Sequence, residues 1–159
     1  NFLIFEVKAN AYYDTFHLPV FSCDSGLYFG DLSPDLQPGT HIRRVGGRSL
    51  NDEEMTAYYA NLARIHGGLL TGRYKNAICL ILDPEHIYQS IDESLWTEPF
   101  LLTDTPHSKR VPGYPLDRLS LDIATRKYYY DLPDRVVDSS AVHTGYYQFF
   151  RAHCHPEHR

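Results

Sequence analysis

The stretch "PGTHIRRVGGRSLNDEE", residues 38–54, sets the path of the chain twice over. Gly46-Gly47 places side by side two residues that adopt positive φ without steric cost, which is what a tight hairpin turn demands. Ile42 and Val45 precede the turn and Leu50 follows it, so residues 40–45 are expected as a strand with apolar side chains pointing to a core. A helix start comes next. Asn51 can cap, and Glu54 stands three residues on, where a capping box needs its carboxylate. Asp52, Glu53 and Glu54 put negative charge at the positive end of the helix dipole. Met55, Tyr58, Tyr59, Leu62 and Ile65 repeat at helical spacing, and Gly67-Gly68 offers a stop. The pattern predicts a helix over about 52–66.

Outward from this centre, "FLIFEVK" (2–8), "TFHLPVFSC" (15–23), "LYFGDL" (27–32) and "NAICLIL" (76–82) read as strands, the second as an edge or a bend because of Pro19. "CDSG" (23–26) carries turn chemistry. Asp83 as cap and Pro84 at the first helical position predict a short second helix over about 84–92. Residues 94–116 hold four prolines and the basic "HSKR" (107–110), and read as a long loop with a basic docking or protease-sensitive tip. "RLSLDIATRKYYYDL" (118–132) and "SAVHTGYYQFFRAH" (140–153) are aromatic and β-branched enough to be expected as strands. The fold class is therefore α+β: a mainly antiparallel sheet or partial barrel with one well-capped helix and one short one, in a single compact domain of 159 residues.

Apolar residues make up 43% and charged residues 22%, which supplies a core and excludes global disorder. The net charge of −5 argues against a nucleic-acid binder that neutralises phosphates over a broad face. Cys23, Cys79 and Cys154 are an odd number with no close spacing, so they define no disulfide framework. The compartment that fits is reducing, or that of a secreted effector without bridges. No apolar run reaches the length of a membrane span. The chain opens on "NFLIFEV" without an initiating Met, and reads as a processed product or a segment of a larger polypeptide.

In order and in motif, residues 18–82 resemble a PDZ domain. "LPVF", "LYFGDLSP" and "LQPGTHIRRVGGRSL" are followed by a helix and a strand, and residues 83–159 form a C-terminal extension. The resemblance implies a protein- or peptide-binding module that adds an extended peptide to a sheet edge beside the helix, with a protein or peptide partner and no cofactor. It implies Leu18, Pro19, Val20 and Phe21 as the carboxylate-binding loop and strand, and Tyr58, Tyr59 or Leu62 as the side-chain pocket.

The alternative expectation is a small effector or toxin enzyme. An ADP-ribosyltransferase-like site using NAD would need a cation for the phosphates, an aromatic for the nicotinamide and a glutamate for the cationic transition state. Arg43 or Arg44, Tyr28, and Glu85 or Glu98 are the candidates. A Cys–His hydrolase would use Cys23 and His143, and a nuclease is the third member of this class. His153, His155 and His158 flank Cys154 in "RAHCHPEHR", a spacing that suits zinc.

Overall fold

The computed structural model describes residues 3–133 and 140–154. The fold class is the expected one: three helices and a mainly antiparallel sheet that does not close into a barrel. Within that sheet β1 (Val20–Phe29) neighbours β4 (Leu69–Asp83). β4 pairs antiparallel with β5 (His86–Ser90) and with β6 (Phe100–Thr103), and β6 pairs with β7 (Ser120–Leu121). By its contacts the chain divides into two compact units. Asn1–Gly26, Tyr74–Thr97 and Asp138–Arg159 form the first, Leu27–Arg73 and Glu98–Val137 the second.

In the first unit the apolar run of β4 is buried on both faces, which is why its sequence shows no alternation. Ala77, Cys79 and Ile81 pack against Phe5 and Ala9 of helix α1 (Leu3–Phe16), with Tyr13 and Val20 beside them. Ile78 and Leu80 point the other way, into Leu95, Phe149, Phe150 and Tyr146. The last three belong to helix α3 (Ser140–His153). Burying each Leu, Ile or Phe here contributes roughly 1.5–3 kcal/mol.

Both helices replace strands expected from the sequence. Phe5, Ala9 and Tyr13 are four apart, as are Val142, Tyr146 and Phe150, with Phe149 and His153 completing the second stripe. That period belongs to a helix and overrides the β propensity of the aromatics. Gly145 lets α3 lie against the 93–95 turn, since a Cβ there would collide with the carbonyl oxygen of Ser94. The expected helix at 84–92 is instead a turn and β5. Asp83 caps nothing helical: Oδ1 accepts the amide of Glu85 at 2.9 Å, and the carboxylate grips His86 Nδ1 at 2.7 Å. β1 also runs straight through residues 23–26, where turn chemistry was expected.

In the second unit the expected Gly-Gly hairpin and capped helix form, but the strand expected over 40–45 shrinks to two residues because 40–43 turn. Strands β2 (Arg44–Val45) and β3 (Arg48–Ser49) form the hairpin, with Gly46 and Gly47 at φ 58° and 78°. Helix α2 (Asp52–Ile65) starts with both arms of the capping box, Glu54 N to Asn51 Oδ1 and Asn51 N to Glu54 Oε2, each 2.9 Å. Its buried side carries Met55, Tyr59, Ala60, Leu62 and Ala63. Gln37 closes the end of β1 by accepting from Phe29 N and donating to Phe29 O and Leu32 O. The long loop expected over 94–116 contains β6, which is buried along its whole length.

Candidate functional site

The polar group that most needs an explanation lies in the first unit. β1 presents Ser22, Asp24 and Gly26 on its more covered side, and Phe21 and Cys23 on the other. Asp24 Oδ2 is buried and has no hydrogen-bond partner among the described residues. An acceptor held that way costs about 1–3 kcal/mol, and a carboxylate more, so it persists where a charge nearby offsets it or a ligand completes it. Lys8 supplies the charge. On α1 it directly precedes the inward Ala9, so its carbon arm runs along the edge of the apolar stripe towards β1. Lys8 Nζ lies 3.6 Å from Asp24 Oδ1 and donates to the carbonyl of Cys23 at 3.2 Å. The Asp24 side chain is 21% exposed and that of Lys8 42%, so solvent reaches Lys8 and the part of Asp24 other than its buried Oδ2.

On the opposite face of β1, α3 holds two residues with two of its own. Phe150 meets Phe21 edge to face at 5.2 Å, and Tyr146, one turn earlier, hydrogen-bonds the thiol of Cys23. Burial pushes the Tyr146 hydroxyl up to about 12, helped by the Cys23 charge and by donation of its proton to sulfur. Burial likewise raises the Cys23 thiol, against smaller opposing effects of Tyr146 and Lys8. Both groups are therefore neutral at physiological pH. A thiol held protonated and paired with a phenol is the opposite of an activated nucleophile.

That disposes of the Cys–His pair, since Tyr146 takes the place beside Cys23 and His143 stands exposed, off the buried stripe of α3. The other expected residues are dispersed as well. Arg43 donates to Leu50 O and to Asp52 Oδ1, tying the hairpin to α2. Arg44 is exposed on β2, Glu85 is exposed in the turn before β5, Glu98 is exposed, and Tyr28 is half-buried in β1. His153 stacks on Tyr88 at 4.0 Å and meets Phe149 edge to face. His155 and His158 lie outside the described residues. No group of three or more His, Cys, Asp or Glu that could hold a metal gathers among the described residues.

The residues that the PDZ resemblance implies for its groove belong to different units. Tyr59 and Leu62 are core residues of the second unit, the Tyr59 hydroxyl donating to Ile42 O at 2.8 Å, with Tyr58 packed edge-on to its ring. Leu18, Val20 and Phe21 belong to the first unit, Leu18 and Phe21 exposed and Val20 half-buried against α1. Lys8, Asp24 and Tyr146 were missed in the sequence because each lies in a segment misread as strand or turn. The helical spacing around Lys8 and Tyr146 was the signal available.

No protein-family model matches the chain, and no curated protein matches it by sequence. Solved structures do. The Ham1 protein of Staphylococcus aureus superposes with a TM-score of 0.66 at 15% identity, over 93% of this chain and 72% of that one. A HAM1 protein from Coxiella burnetii gives 0.66 at 16%, over 92% and 72%. A nucleoside-triphosphatase, described as a dITP/XTP pyrophosphatase, from Mycobacterium abscessus gives 0.62 at 19%, over 96% and 72%. At these identities the likeness is one of fold. It replaces the PDZ resemblance, and with it the peptide-binding module and its protein or peptide partner. The enzyme types expected as alternatives, ADP-ribosyltransferase, nuclease and Cys–His hydrolase, differ from these neighbours too. Among the described residues no helix is long and apolar enough to cross a membrane.

Proposed function

We propose that the chain binds a nucleoside triphosphate and hydrolyses it to the monophosphate and pyrophosphate, with Asp24 as the base and Lys8 as the cation that holds phosphate. The observation that carries this reading is the buried Asp24 Oδ2 without a hydrogen-bond partner, beside an ammonium 3.6 Å from the other oxygen of the same carboxylate. The fold it shares with a dITP/XTP pyrophosphatase supports the substrate class. In the proposed step the Asp24 carboxylate accepts a proton from water while the water oxygen bonds to the α-phosphorus. The bond from that phosphorus to the bridging oxygen breaks, and pyrophosphate leaves with the electron pair. Lys8 opposes the charge that accumulates on the phosphate oxygens. Its bond to Cys23 O, together with the Tyr146–Cys23 bond, fixes the backbone on which Asp24 is mounted.

A hard divalent cation that keeps several waters would come with the phosphates of the substrate and screen their charge when bound; among the described residues no group of three or more His, Cys, Asp or Glu gathers to hold one by itself. The experiment is pyrophosphate release from dITP, XTP, dGTP and ATP with Mg²⁺ present. Asp24→Asn should cut kcat by about 10²–10⁴, the usual worth of a positioned base, with Tm unchanged or raised. Lys8→Met should mainly raise KM. Absence of pyrophosphate from every triphosphate, or an Asp24→Asn variant of full activity, overturns the reading.

A further inference from the structure

We propose that His107, in the second unit, is an acid-released latch on the Lys109 amide, a device independent of the catalytic reading above. The tautomer of His107 follows from its partners. Its Nδ1 lies 2.9 Å from the backbone nitrogen of Lys109, and a backbone N–H can only donate, so Nδ1 is the acceptor. The ring proton is then on Nε2, which donates to Asp131 Oδ1 at 3.0 Å. The imidazole is neutral, and its two bonds respond oppositely to a proton. Protonating Nδ1 sets two N–H groups against each other at Lys109 and abolishes that bond. The same proton turns the bond to Asp131 into an ion pair.

The surroundings hold the ring in place while this exchange happens. Tyr128 and Tyr130 flank it edge to face at 5.0 and 5.5 Å, and its side chain is only 18% exposed. The His107 backbone is fixed in both directions to Arg118, His107 N donating to Arg118 O at 2.8 Å and Arg118 Nε donating to His107 O at 3.0 Å. What a proton frees is therefore the Lys109 amide, while the Lys109 ammonium on Tyr130 and the Arg110–Glu53 pair still hold the stretch. The charged groups facing the latch are Asp131 from the 129–131 turn, the Lys109 ammonium over the Tyr130 ring, and Arg118, which also pairs with Glu53 of α2. Asp104 acts on Tyr128, and Arg110 joins the stretch to Glu53 at 2.6 Å. The basic "HSKR" loop is thus closed at neutral pH by a histidine that carries no charge.

The test is nitrogen-15 NMR of the whole chain between pH 8 and pH 5, reading the imidazole nitrogens and the exchange of the Lys109 amide. At pH 8 Nδ1 should show a pyridine-type shift and Nε2 a pyrrole-type shift. As the ring titrates, the protection of the Lys109 amide, corrected for its intrinsic rate, should fall at least tenfold with the same midpoint. Asp131→Asn keeps an acceptor for Nε2, so the tautomer and the protection of the Lys109 amide at pH 8 should both persist, and the two transitions should still share one midpoint. His107→Phe should leave the Lys109 amide unprotected throughout. A proton on Nδ1 at pH 8, or Lys109 protection that ignores the titration of the ring, overturns the proposal. The wild-type and Asp131→Asn measurements decide it even where His107→Phe does not fold.

Discussion

Tyr59 brings a hydroxyl into the core of the second unit and discharges its hydrogen-bonding need on Ile42 O at 2.8 Å. Tyr59→Phe leaves that carbonyl without this donor and should cost about 1–2 kcal/mol in urea unfolding, with the slope of the transition unchanged. Asp52 makes a pH-dependent contribution of known sign. The amide of Gly113, first, and Arg43 hold its carboxyl below the usual carboxylate range. Its stabilisation is complete above the unfolded value of about 3.9 and is lost as pH falls through the lower folded one. Asp52→Asn should therefore lower stability slightly at pH 7, the group being open to solvent, and flatten the acid limb below about pH 4 by that same small amount. At this scale the sequence marked Asp52 and Glu54 correctly as helix-start carboxylates. It could not mark Asp24, because an aspartate before Ser-Gly makes the same local bonds in a turn as it would lose in a strand.

Helix α2 was legible because all its signals agree. Asn51, the three carboxylates, the apolar spacing and the glycines after it each specify the same element. Asn51→Ala removes one arm of the capping box and should destabilise by about 1 kcal/mol, measurable as a shift in the urea midpoint. Helices α1 and α3 were not legible by composition, since Phe, Tyr, Val and Ile favour strands when nothing else is known. Only the spacing of Phe5, Ala9 and Tyr13, and of Val142, Tyr146 and Phe150, separates the two outcomes. Asp83-Pro84 misled for a related reason, because aspartate and proline start turns as readily as helices. Gly145 is the position where α3 is most exposed to error. Gly145→Ala improves helix propensity by about 1 kcal/mol yet drives a methyl against Ser94 O, and overpacking of this kind costs about 1–3 kcal/mol or more. The net effect should be a lower Tm, whereas Gly→Ala in an unobstructed helix raises it.

For the molecule as a whole, the α+β class followed from composition and turn chemistry, while the particular fold did not. A strand, a Gly-Gly turn and a capped helix is a local arrangement open to many folds, so "LQPGTHIRRVGGRSL" could not tell a PDZ domain from the fold found here. What distinguishes them is the burial of β4 between two helices in the first unit, and those helices come from the ends of the sequence. Amides of residues 77–81 should be the slowest in the chain to exchange, and those of the β2–β3 hairpin among the fastest, as hydrogen exchange resolved by residue would reveal.

The alternation along β4 also decides which genetic changes this protein can survive. Ala77 and Cys79, with Ile81, face Ala9 and Phe5, while Ile78 and Leu80 face the aromatic residues of α3. Deleting or inserting one codon between 77 and 81 would exchange the two sets, forcing bulk under α1 and opening a void under α3 at once. A two-codon change would keep the sides and shift only the length. Lineages related to this chain should therefore differ in length at the turn after Asp83 or in the segment before β6, and not within those five positions.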